Sequence, residues 1–301
     1  MMIDRQGDEQ ARVLPAIAVL GEVLWDVFGE SRRLGGAPLN FAAHLRRLGH
    51  PVSLISALGT DSLGNDAAAK LAKLDLDTRL VQRTSRFVTG IAEVSLGTDG
   101  VPEFKIPRPA AYDAIDLNRQ DIESLREQAP AWFYFGTLFT ATAAGDRLLD
   151  RLLAELDVAG RFLDLNLRAG SDAPELIVKR LSQANVVKLN EAELGRVASL
   201  AGLPTGIELF CRAACDHFAL SAIAVTLGER GCAVLSGGEY VHAPGLPVDV
   251  ADTVGAGDAF AAAFVHGLSR NWPAEQIAAF ANRIAADVAS HHGGLPLTAR
   301  G

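Results

Sequence analysis

The sequence is poor in cysteine, has fewer basic than acidic residues and has no long hydrophobic run. Its cysteines, Cys211, Cys215 and Cys232, are too few for a disulfide framework in 301 residues, and we expect them to be buried thiols. The net charge of −8 excludes the broad basic surface that general nucleic-acid binding requires. The apolar run over residues 13–20 contains Pro15 and is far shorter than the roughly 20 residues of a membrane span, so it predicts a first strand rather than a signal peptide. We therefore expect a cytoplasmic protein with no nucleic-acid or membrane partner.

Two common nucleotide-binding motifs are also absent from the sequence. No Gly-x-x-x-x-Gly-Lys-Ser/Thr phosphate loop occurs, and Gly-Glu-Val-Leu at 21–24, after the first predicted strand, lacks the glycines of a dinucleotide fingerprint. These absences argue against P-loop NTPases and against dinucleotide-dependent oxidoreductases. The composition, with 49% hydrophobic and 21% charged residues, is ordinary for a globular enzyme with a sizeable core.

Short apolar runs alternate with longer amphipathic segments along the chain. The pattern predicts strands over residues 16–20, 52–57, 132–135, 162–164, 186–189 and 222–227. It predicts helices over residues 39–48, 65–74, 119–126, 144–156, 192–201, 207–217, 258–268 and 274–290. Such alternation indicates an α/β fold whose mostly parallel sheet is covered by helices on both faces.

Two segments break this alternation. Residues 23–28 follow the first strand immediately, and residues 90–96 are joined to 103–106 through Gly-Thr-Asp-Gly at 97–100, which predicts a β-hairpin. A few strands outside the main sheet cannot enclose a core of their own. We therefore expect a small β-sheet flap over a cleft, whose apolar face offers a dimer contact. An ordinary surface excursion is the alternative.

Residues 252–260, Asp-Thr-Val-Gly-Ala-Gly-Asp-Ala-Phe, run directly into an apolar helical pattern. The backbone amides of Gly255, Ala256 and Gly257 therefore fall at a helix N-terminus, where unpaired N–H groups and the helix dipole attract anions. Asp258 lies in the first turn of the same helix. An anion-binding turn beside a carboxylate suits phosphoryl transfer to a hydroxyl, with Asp258 as the general base. The alternative is a tight turn with close helix packing, in which Asp258 only caps the helix.

This segment closely resembles the C-terminal signature of ribokinase-like (PfkB-type) carbohydrate kinases, usually written D-T-x-G-A-G-D-x-F. Further matches occur in the family's order: Gly-Glu-Val-Leu-Trp-Asp at 21–26, Gly-Gly-Ala-Pro-Leu-Asn at 35–40, Asn-Glu-Ala-Glu at 190–193 and Thr-Leu-Gly-Glu-Arg-Gly at 226–231. The resemblance implies a ribokinase-like three-layer α/β/α fold with a mostly parallel central sheet and a small β-sheet lid. It also implies a single kinase domain over residues 1–301, with the lid formed by segments about 22–34 and 88–109.

The resemblance assigns roles to individual residues, beginning with catalysis by Asp258 and the amides of Gly255, Ala256 and Gly257. The sugar is expected to contact Asp26, Gly35, Gly36, Asn40, Arg108 and Arg168. The nucleotide is expected to contact Asn190, Thr226, Gly228, Gly231 and Asn282. Glu193 is expected to act on Mg²⁺ through water, and Asp252 to hold a monovalent cation such as K⁺.

The pair Asn190 and Glu193 has a second interpretation that the spacing leaves open. Asn followed three residues later by Glu at a helix start is also the pattern of a capping box, in which each side chain satisfies a backbone amide of the other residue. The two roles can coexist, because a side chain that caps a helix can still face a cavity.

Within the family, the motifs around Gly35 and Gly36 most resemble those of fructokinases. Asp-Leu-Asn-Leu-Arg at 164–168 departs from the Asp-Pro-Asn-x-Arg of both fructokinases and 2-keto-3-deoxygluconate kinases, so the latter activity and ribokinase activity stay open. We expect an ATP- and Mg²⁺-dependent kinase that phosphorylates a primary hydroxyl of a monosaccharide, with fructose as the first choice. A homodimer formed through the lid is expected, and a non-catalytic sugar- or nucleotide-binding protein on the same fold is the alternative from another class.

Overall fold

The computed structural model describes residues 13–96 and 102–295 and contains a large sheet and a small one. In chain order, the strands of the large sheet are β1 (Ile17–Leu20), β4 (Val52–Gly59), β5 (Val81–Thr84), β8 (Trp132–Gly136), β9 (Gly160–Asp164), β10 (Val186–Asn190), β11 (Ala222–Thr226), β12 (Cys232–Ser236) and β13 (Glu239–Ala243). The small sheet consists of β2 (Leu24–Phe28), β3 (Ser31–Gly35), β6 (Gly90–Leu96) and β7 (Pro102–Lys105).

The helices of the described residues connect these strands. They are α1 (Ala37–Arg47), α2 (Ser62–Leu71), α3 (Arg119–Glu127), α4 (Thr137–Thr140), α5 (Ala143–Glu155), α6 (Pro174–Gln183), α7 (Glu191–Ala201), α8 (Ile207–Phe218), α9 (Ala256–Ser269) and α10 (Ala274–Ala289). All three cysteines are free thiols; Cys211 on α8 and Cys232 on β12 are buried, as expected, whereas Cys215 on α8 is only partly buried.

The large sheet has the spatial order β13-β12-β11-β10-β9-β8-β1-β4-β5. Every neighbouring pair from β5 to β11 is parallel, whereas β12 and β13 form an antiparallel edge. After β1 the chain goes to β4 on one side and later returns to β8 on the other, so the connections diverge at β1. Ligands of open parallel sheets bind at the carboxyl ends of the strands beside such a point. The prediction of a mostly parallel α/β sheet is confirmed.

Helices cover the two faces of this sheet and give the predicted three layers. One face packs against α1, α2, α9 and α10, and the other against α3 and α5–α8. Helix α9 is buried continuously from Asp258 to Gly267, because its Ala-rich sequence allows close contact with α1, α10 and the sheet. The ring of Phe41 on α1 packs 4.4 Å from Tyr134 and 5.4 Å from Phe162, measured between ring centroids.

The small sheet has the order β3-β2-β6-β7, and its base is fixed to the main body by hydrogen bonds. The Trp25 indole donates to the Leu63 carbonyl at 3.1 Å, and Asp61 accepts the Thr89 backbone amide at 2.7 Å. The predicted flap is therefore present, although β3 was not expected because its residues Ser31, Arg32 and Arg33 are polar. The predicted turn over residues 97–100 lies outside the described residues.

Several predicted boundaries shift for identifiable reasons. Helix α2 begins at Ser62 rather than at residue 65, because the Asp61 side chain accepts the Gly64 amide at 2.7 Å and caps the helix earlier. Helix α6 was not predicted, although Pro174 at its first turn is a typical helix start. The edge strands β5 and β13 were also missed, and so was β12, which lies between β11 and β13.

Candidate active site

The N-terminus of α9 places Asp258 beside a backbone turn. Gly255 caps the helix with a φ of 82°, and Asp258 follows in the first turn with only 9% of its surface exposed. The Asn40 amide, on α1, donates to the Asp258 Oδ2 oxygen at 2.8 Å. The first-turn amides of a helix have no partner within it, but here the Ala256 N–H donates to the Thr253 carbonyl at 3.3 Å. The amides of Gly255 and Gly257 flank this engaged one.

Two cavities meet at this turn. The first, about 310 Å³, is lined by carboxylate, amide and cationic side chains from strands, helices and loops, including Glu22, Asp26, Asn40, Arg168, Lys188, Asn190 and Asp258. The second, about 950 Å³, is lined by Gly228, Gly231, Leu246, Val248, Phe260 and Asn282, among others. Thr226, Thr253 and Gly257 line both cavities. The turn before α9 is therefore a shared wall between a small polar cavity and a larger, more apolar one.

The pKa of Asp258 is raised to about 6, chiefly by burial and then by the negative charge of Asp164. The hydrogen bond from Asn40 and the positive charges of Lys188 and Arg168 partly oppose that rise. A carboxylate with a pKa just below neutrality is ionised at pH 7 yet more basic than an ordinary aspartate. This is the balance that a general base operating near neutral pH requires.

The predicted sugar contacts divide into those in the cavity and those outside it. Asp26, Gly36, Asn40 and Arg168 line the first cavity. Gly35 lies underneath, where a Cβ would stand 2.4 Å from the Asp26 Oδ2 oxygen, so a side chain there would displace this carboxylate.

Arg108 is not among the residues that line either cavity. Its guanidinium forms an ion pair with Asp113 and donates to the Leu138 carbonyl at 2.6 Å. Asp113, five residues along the chain, and Leu138, which lines the first cavity, hold the Arg108 side chain beside that cavity, so its contact with the sugar stays a prediction.

The predicted nucleotide contacts Thr226, Gly228, Gly231 and Asn282 all line the second cavity. The Asn282 amide donates to the carbonyls of Ala243 and Pro244 at 3.3 and 3.2 Å and so holds the loop that forms one wall. The remaining predicted contact, Asn190, lines the first cavity instead.

Asn190 and Glu193 form the capping box that their spacing allows. The Asn190 side chain accepts the Glu193 amide at 2.9 Å, and Glu193 Oε2 accepts the Asn190 amide at 2.8 Å. The second carboxylate oxygen of Glu193 accepts the Leu167 amide at 2.7 Å. Glu193 thereby fixes the loop after β9 against the start of α7. Its expected action on Mg²⁺ stays a prediction.

The buried acids Asp164 and Glu22 were not among the predicted site residues, and the sequence offered Lys188 as a phosphate or substrate contact with a surface charge as the alternative. Lys188 Nζ lies 3.1 Å from Asp164 Oδ1 and 3.2 Å from the point where a Cβ on Gly257 would stand, so its positive charge faces the turn. Burial lowers the pKa of Lys188, but the carboxylates of Asp164 and Glu193 outweigh this effect and raise it. Glu22 lines the first cavity, and burial raises its pKa to about 7. Asp164 ends β9 and Glu22 follows β1 by two residues, and this position at the carboxyl ends of strands is the signal that could have found them.

Comparison with known proteins identifies the class to which this fold and site belong. The model of the pfkB family carbohydrate kinases matches residues 1–298, so the chain belongs to this family and is a sugar kinase. The fructokinase of Klebsiella pneumoniae is 29% identical over 298 residues, which cover 95% of this chain and 94% of that protein. Within the described residues, no helix is long and apolar enough to cross a membrane.

Solved structures show the same fold. An uncharacterized sugar kinase from Pyrococcus horikoshii in complex with ATP superposes with a TM-score of 0.78 at 26% identity and covers 92% of this chain and 93% of that one. The 2-dehydro-3-deoxygluconokinase of Thermotoga maritima gives a TM-score of 0.80 at 20% identity, over 95% of this chain and 97% of that one. The predicted ribokinase-like fold is confirmed.

The pKa shifts lead to a prediction for the pH dependence of kcat/KM. We expect kcat/KM to fall as the pH drops through about 6 to 7, since Asp258, with a pKa near 6, and Asp26, with a pKa near 7, become protonated. The Asn40 hydrogen bond stabilises the ionised form of Asp258, so Asn40→Ala should raise the pKa of Asp258 and move this acid limb to higher pH. A pH–rate profile of both proteins checks this, and an unmoved limb in the variant would show that another group titrates.

Proposed function

We propose that the protein transfers the γ-phosphoryl group of ATP to a primary hydroxyl of a monosaccharide, with fructose as the preferred acceptor. One observation carries this proposal: Asp258 and the turn over Gly255–Gly257 stand between two cavities of different character. The small polar cavity suits a sugar, whose hydroxyls need several donors and acceptors. The larger cavity, with Leu246, Val248 and Phe260 in its lining, suits a nucleotide.

Asp258 accepts the proton of the attacking hydroxyl in this mechanism. Its pKa near 6 keeps it ionised at neutral pH, and the Asn40 amide fixes one of its oxygens so that the other can face the acceptor. Because the carboxylate is a weaker base than an alkoxide, the proton moves late, once the O–P bond is forming. The amides of the turn and the Lys188 ammonium stabilise the negative charge that develops on the transferred phosphoryl group.

Mg²⁺ is expected to neutralise part of the charge of the ATP phosphates. No group of three or more His, Cys, Asp or Glu residues in the described ranges could hold a metal ion by itself. This fits Mg²⁺, which usually keeps several waters and binds through substrate phosphates together with few protein ligands. Asn190, in the lining of the first cavity, would contact its hydration shell. The expected K⁺ at Asp252 stays a prediction.

The small sheet acts as the lid of the sugar cavity in this proposal. Its strand β2 carries Asp26, which lines the first cavity with 8% of its surface exposed. A sugar bound to Asp26 on one side and to Asn40 on the other would hold the sheet against the main body. Water is then excluded when transfer occurs, which limits hydrolysis of ATP. A homodimer through this sheet stays a prediction.

The similarity to the Klebsiella pneumoniae fructokinase over nearly the whole chain supports fructose as the acceptor. A second candidate, 2-keto-3-deoxygluconate, is favoured by one feature of the cavity. This acid carries a carboxylate, and the lining includes the Arg168 guanidinium, a group suited to bind carboxylates. The fold is shared with a kinase of that class, so fold alone does not separate the candidates.

An assay of ADP release tests the proposal across fructose, 2-keto-3-deoxygluconate, ribose, tagatose and adenosine. We expect the highest kcat/KM with fructose and a lower value with each of the others. A preference for the keto-acid would transfer the assignment to the second candidate. Tight binding of ATP or sugar by calorimetry, without ADP release for any acceptor, would support a non-catalytic binding protein instead.

A further inference from the structure

An ion pair joins the small sheet to the loop that leads into the catalytic turn. Arg33 on β3 lies directly opposite Asp26 in the β2–β3 ladder, so both side chains project from the same face of the sheet. The Arg33 guanidinium donates from Nη1 to Asp252 Oδ2 at 2.7 Å, across 219 residues of sequence. The Asp252 side chain is 15% exposed and that of Arg33 is 41% exposed. This contact joins β3 to the loop before α9.

The Asp252 carboxylate also organises the turn itself. Its Oδ1 oxygen accepts the Val254 amide at 3.0 Å, inside the segment that leads to Gly255. Its Oδ2 oxygen accepts the Gly293 amide at 3.0 Å, from the loop after α10. That loop supports the turn closely, since a Cβ on Gly255 would lie 2.2 Å from the Gly294 Cα atom. One carboxylate therefore connects the small sheet, the catalytic turn and the loop beneath it.

These contacts do not fit a monovalent cation bound at Asp252 in the same arrangement. A carboxylate offers about four acceptor sites, and three of those of Asp252 already accept N–H donors from Arg33, Val254 and Gly293, which leaves one site on Oδ1 for a cation. The Arg33 guanidinium already supplies one positive charge at 2.7 Å, and a second cation in contact with the same carboxylate would be repelled by it. Arg33 thus contacts the carboxylate that the family resemblance assigns to K⁺.

Resting on the proposed function, we propose that Arg33 is a latch that supplies the positive charge at Asp252 when the small sheet is closed. Closure then orders the phosphate-binding turn through Asp252, and turnover does not depend on K⁺. A monovalent cation binds at Asp252 only when Arg33 is removed. Arg33 is a positioning residue in this account, because it acts on the turn through Asp252 and not on the substrates.

Arg32 provides a matched control on the same strand. Its guanidinium pairs with Asp66 on α2 at 2.7 Å, and the side chains are about equally exposed, at 48% and 51%. This pair also connects the small sheet to the main body, but it does not touch the loop before the turn. Arg32→Gln therefore removes one lid arginine and one ion pair without affecting Asp252.

The test compares wild type, Arg33→Gln, Arg33→Lys and Arg32→Gln in KCl and in tetramethylammonium chloride at equal ionic strength. Wild type and Arg32→Gln should turn over equally in the two salts, within about twofold. In tetramethylammonium, Arg33→Gln should lose about tenfold in kcat with little change in the KM for sugar, because it lacks a charge-assisted hydrogen bond at the turn. KCl should restore part of that loss, and Arg33→Lys should regain turnover without K⁺.

Thermal unfolding gives a second reading that needs no activity. Only Arg33→Gln should have a higher Tm in KCl than in tetramethylammonium chloride, because only there is Asp252 open to K⁺. A K⁺-dependent Tm or rate in the wild type would overturn the latch, and so would an Arg33→Gln variant that matches Arg32→Gln. If no sugar is phosphorylated by any variant, the proposed function fails, while the Tm comparison still decides the role of Arg33.

Discussion

Asp258→Asn should lower kcat by about 10² to 10⁴-fold while leaving the KM for sugar near the wild-type value. The amide keeps an oxygen that can accept the Asn40 hydrogen bond, which is 2.8 Å long in the wild type, so the shape of the cavity is preserved. It cannot accept a proton at neutral pH. The loss therefore falls on the chemical step rather than on binding. Steady-state kinetics with the preferred sugar and saturating ATP measure both constants.

Asp26→Asn is the matched control for this substitution. Asp26 is a second carboxylate of the same cavity, and burial together with the charge of Asp258 raises its pKa to about 7. Because Asp26 is expected to bind sugar hydroxyls and not to take the proton, its replacement should mainly raise the KM for sugar. Near-normal turnover by Asp258→Asn, or a loss of kcat equal in both variants, would remove Asp258 from the role of general base.

Asp258→Asn should also stabilise the folded protein at pH 8. Burial raises the pKa of Asp258 from 3.8 to about 6, so the folded state favours the protonated form. Its contribution to stability is fully present below pH 3.8, is lost as the pH rises through 6, and stays lost at pH 8. A neutral Asn avoids this loss of folding free energy. The size of the pKa shift sets an upper limit of about 3 kcal/mol on the loss. The Tm of Asp258→Asn should exceed that of the wild type at pH 8, by a margin that shrinks at pH 5.

Gly255→Ala should reduce kcat/KM for ATP by about 100-fold or more, because it displaces the catalytic turn. Gly255 has a φ of 82°, and a Cβ at this position would stand 2.2 Å from the Gly294 Cα atom. The turn or the supporting loop must therefore move to admit a methyl group. Such a movement displaces the amides that are proposed to face the transferred phosphoryl group.

Gly238→Ala separates backbone strain from the clash. Gly238 lies in the turn between β12 and β13 with a φ of 81°, and no heavy atom stands within 4 Å of a Cβ there. Its replacement carries the same left-handed strain, about 1 to 2 kcal/mol, without moving a neighbour. Both variants should lose stability in thermal unfolding, but only Gly255→Ala should lose turnover. Equal kinetic constants in the two alanine variants would show that the turn does not take part in catalysis.

The sequence predicted the main sheet because its central strands are short apolar runs between amphipathic helices. The edge of the sheet was missed for a physical reason. Strand β13, Glu239–Ala243, has no buried residue, and β5, Val81–Thr84, is likewise only partly covered, so neither shows the hydrophobic signal of a central strand. An edge strand is recognised by its hydrogen bonds to the neighbouring strand, and the local pattern of apolar residues does not reveal these bonds.

Site residues could be predicted where they belong to one sequence motif. Contacts between residues from distant segments of the chain could not. The sequence placed Asn40 and Asp258 in separate motifs, but their hydrogen bond across 218 residues required the packing of α1 against α9. The same limit applies to Arg33 and Asp252, which were never considered together. The ion pair of Arg108 with Asp113, which holds the guanidinium beside the first cavity, was likewise not predicted.

A crystal structure of Asp258→Asn with fructose and a non-hydrolysable ATP analogue tests the central claim most directly. The measured quantity is the distance from the acceptor hydroxyl oxygen to the side-chain amide at position 258. We expect hydrogen-bond contact, about 2.6 to 3.2 Å, with the nucleotide in the second cavity and its terminal phosphate at the turn over Gly255–Gly257. A sugar hydroxyl out of reach of residue 258, or a terminal phosphate away from this turn, would contradict the account.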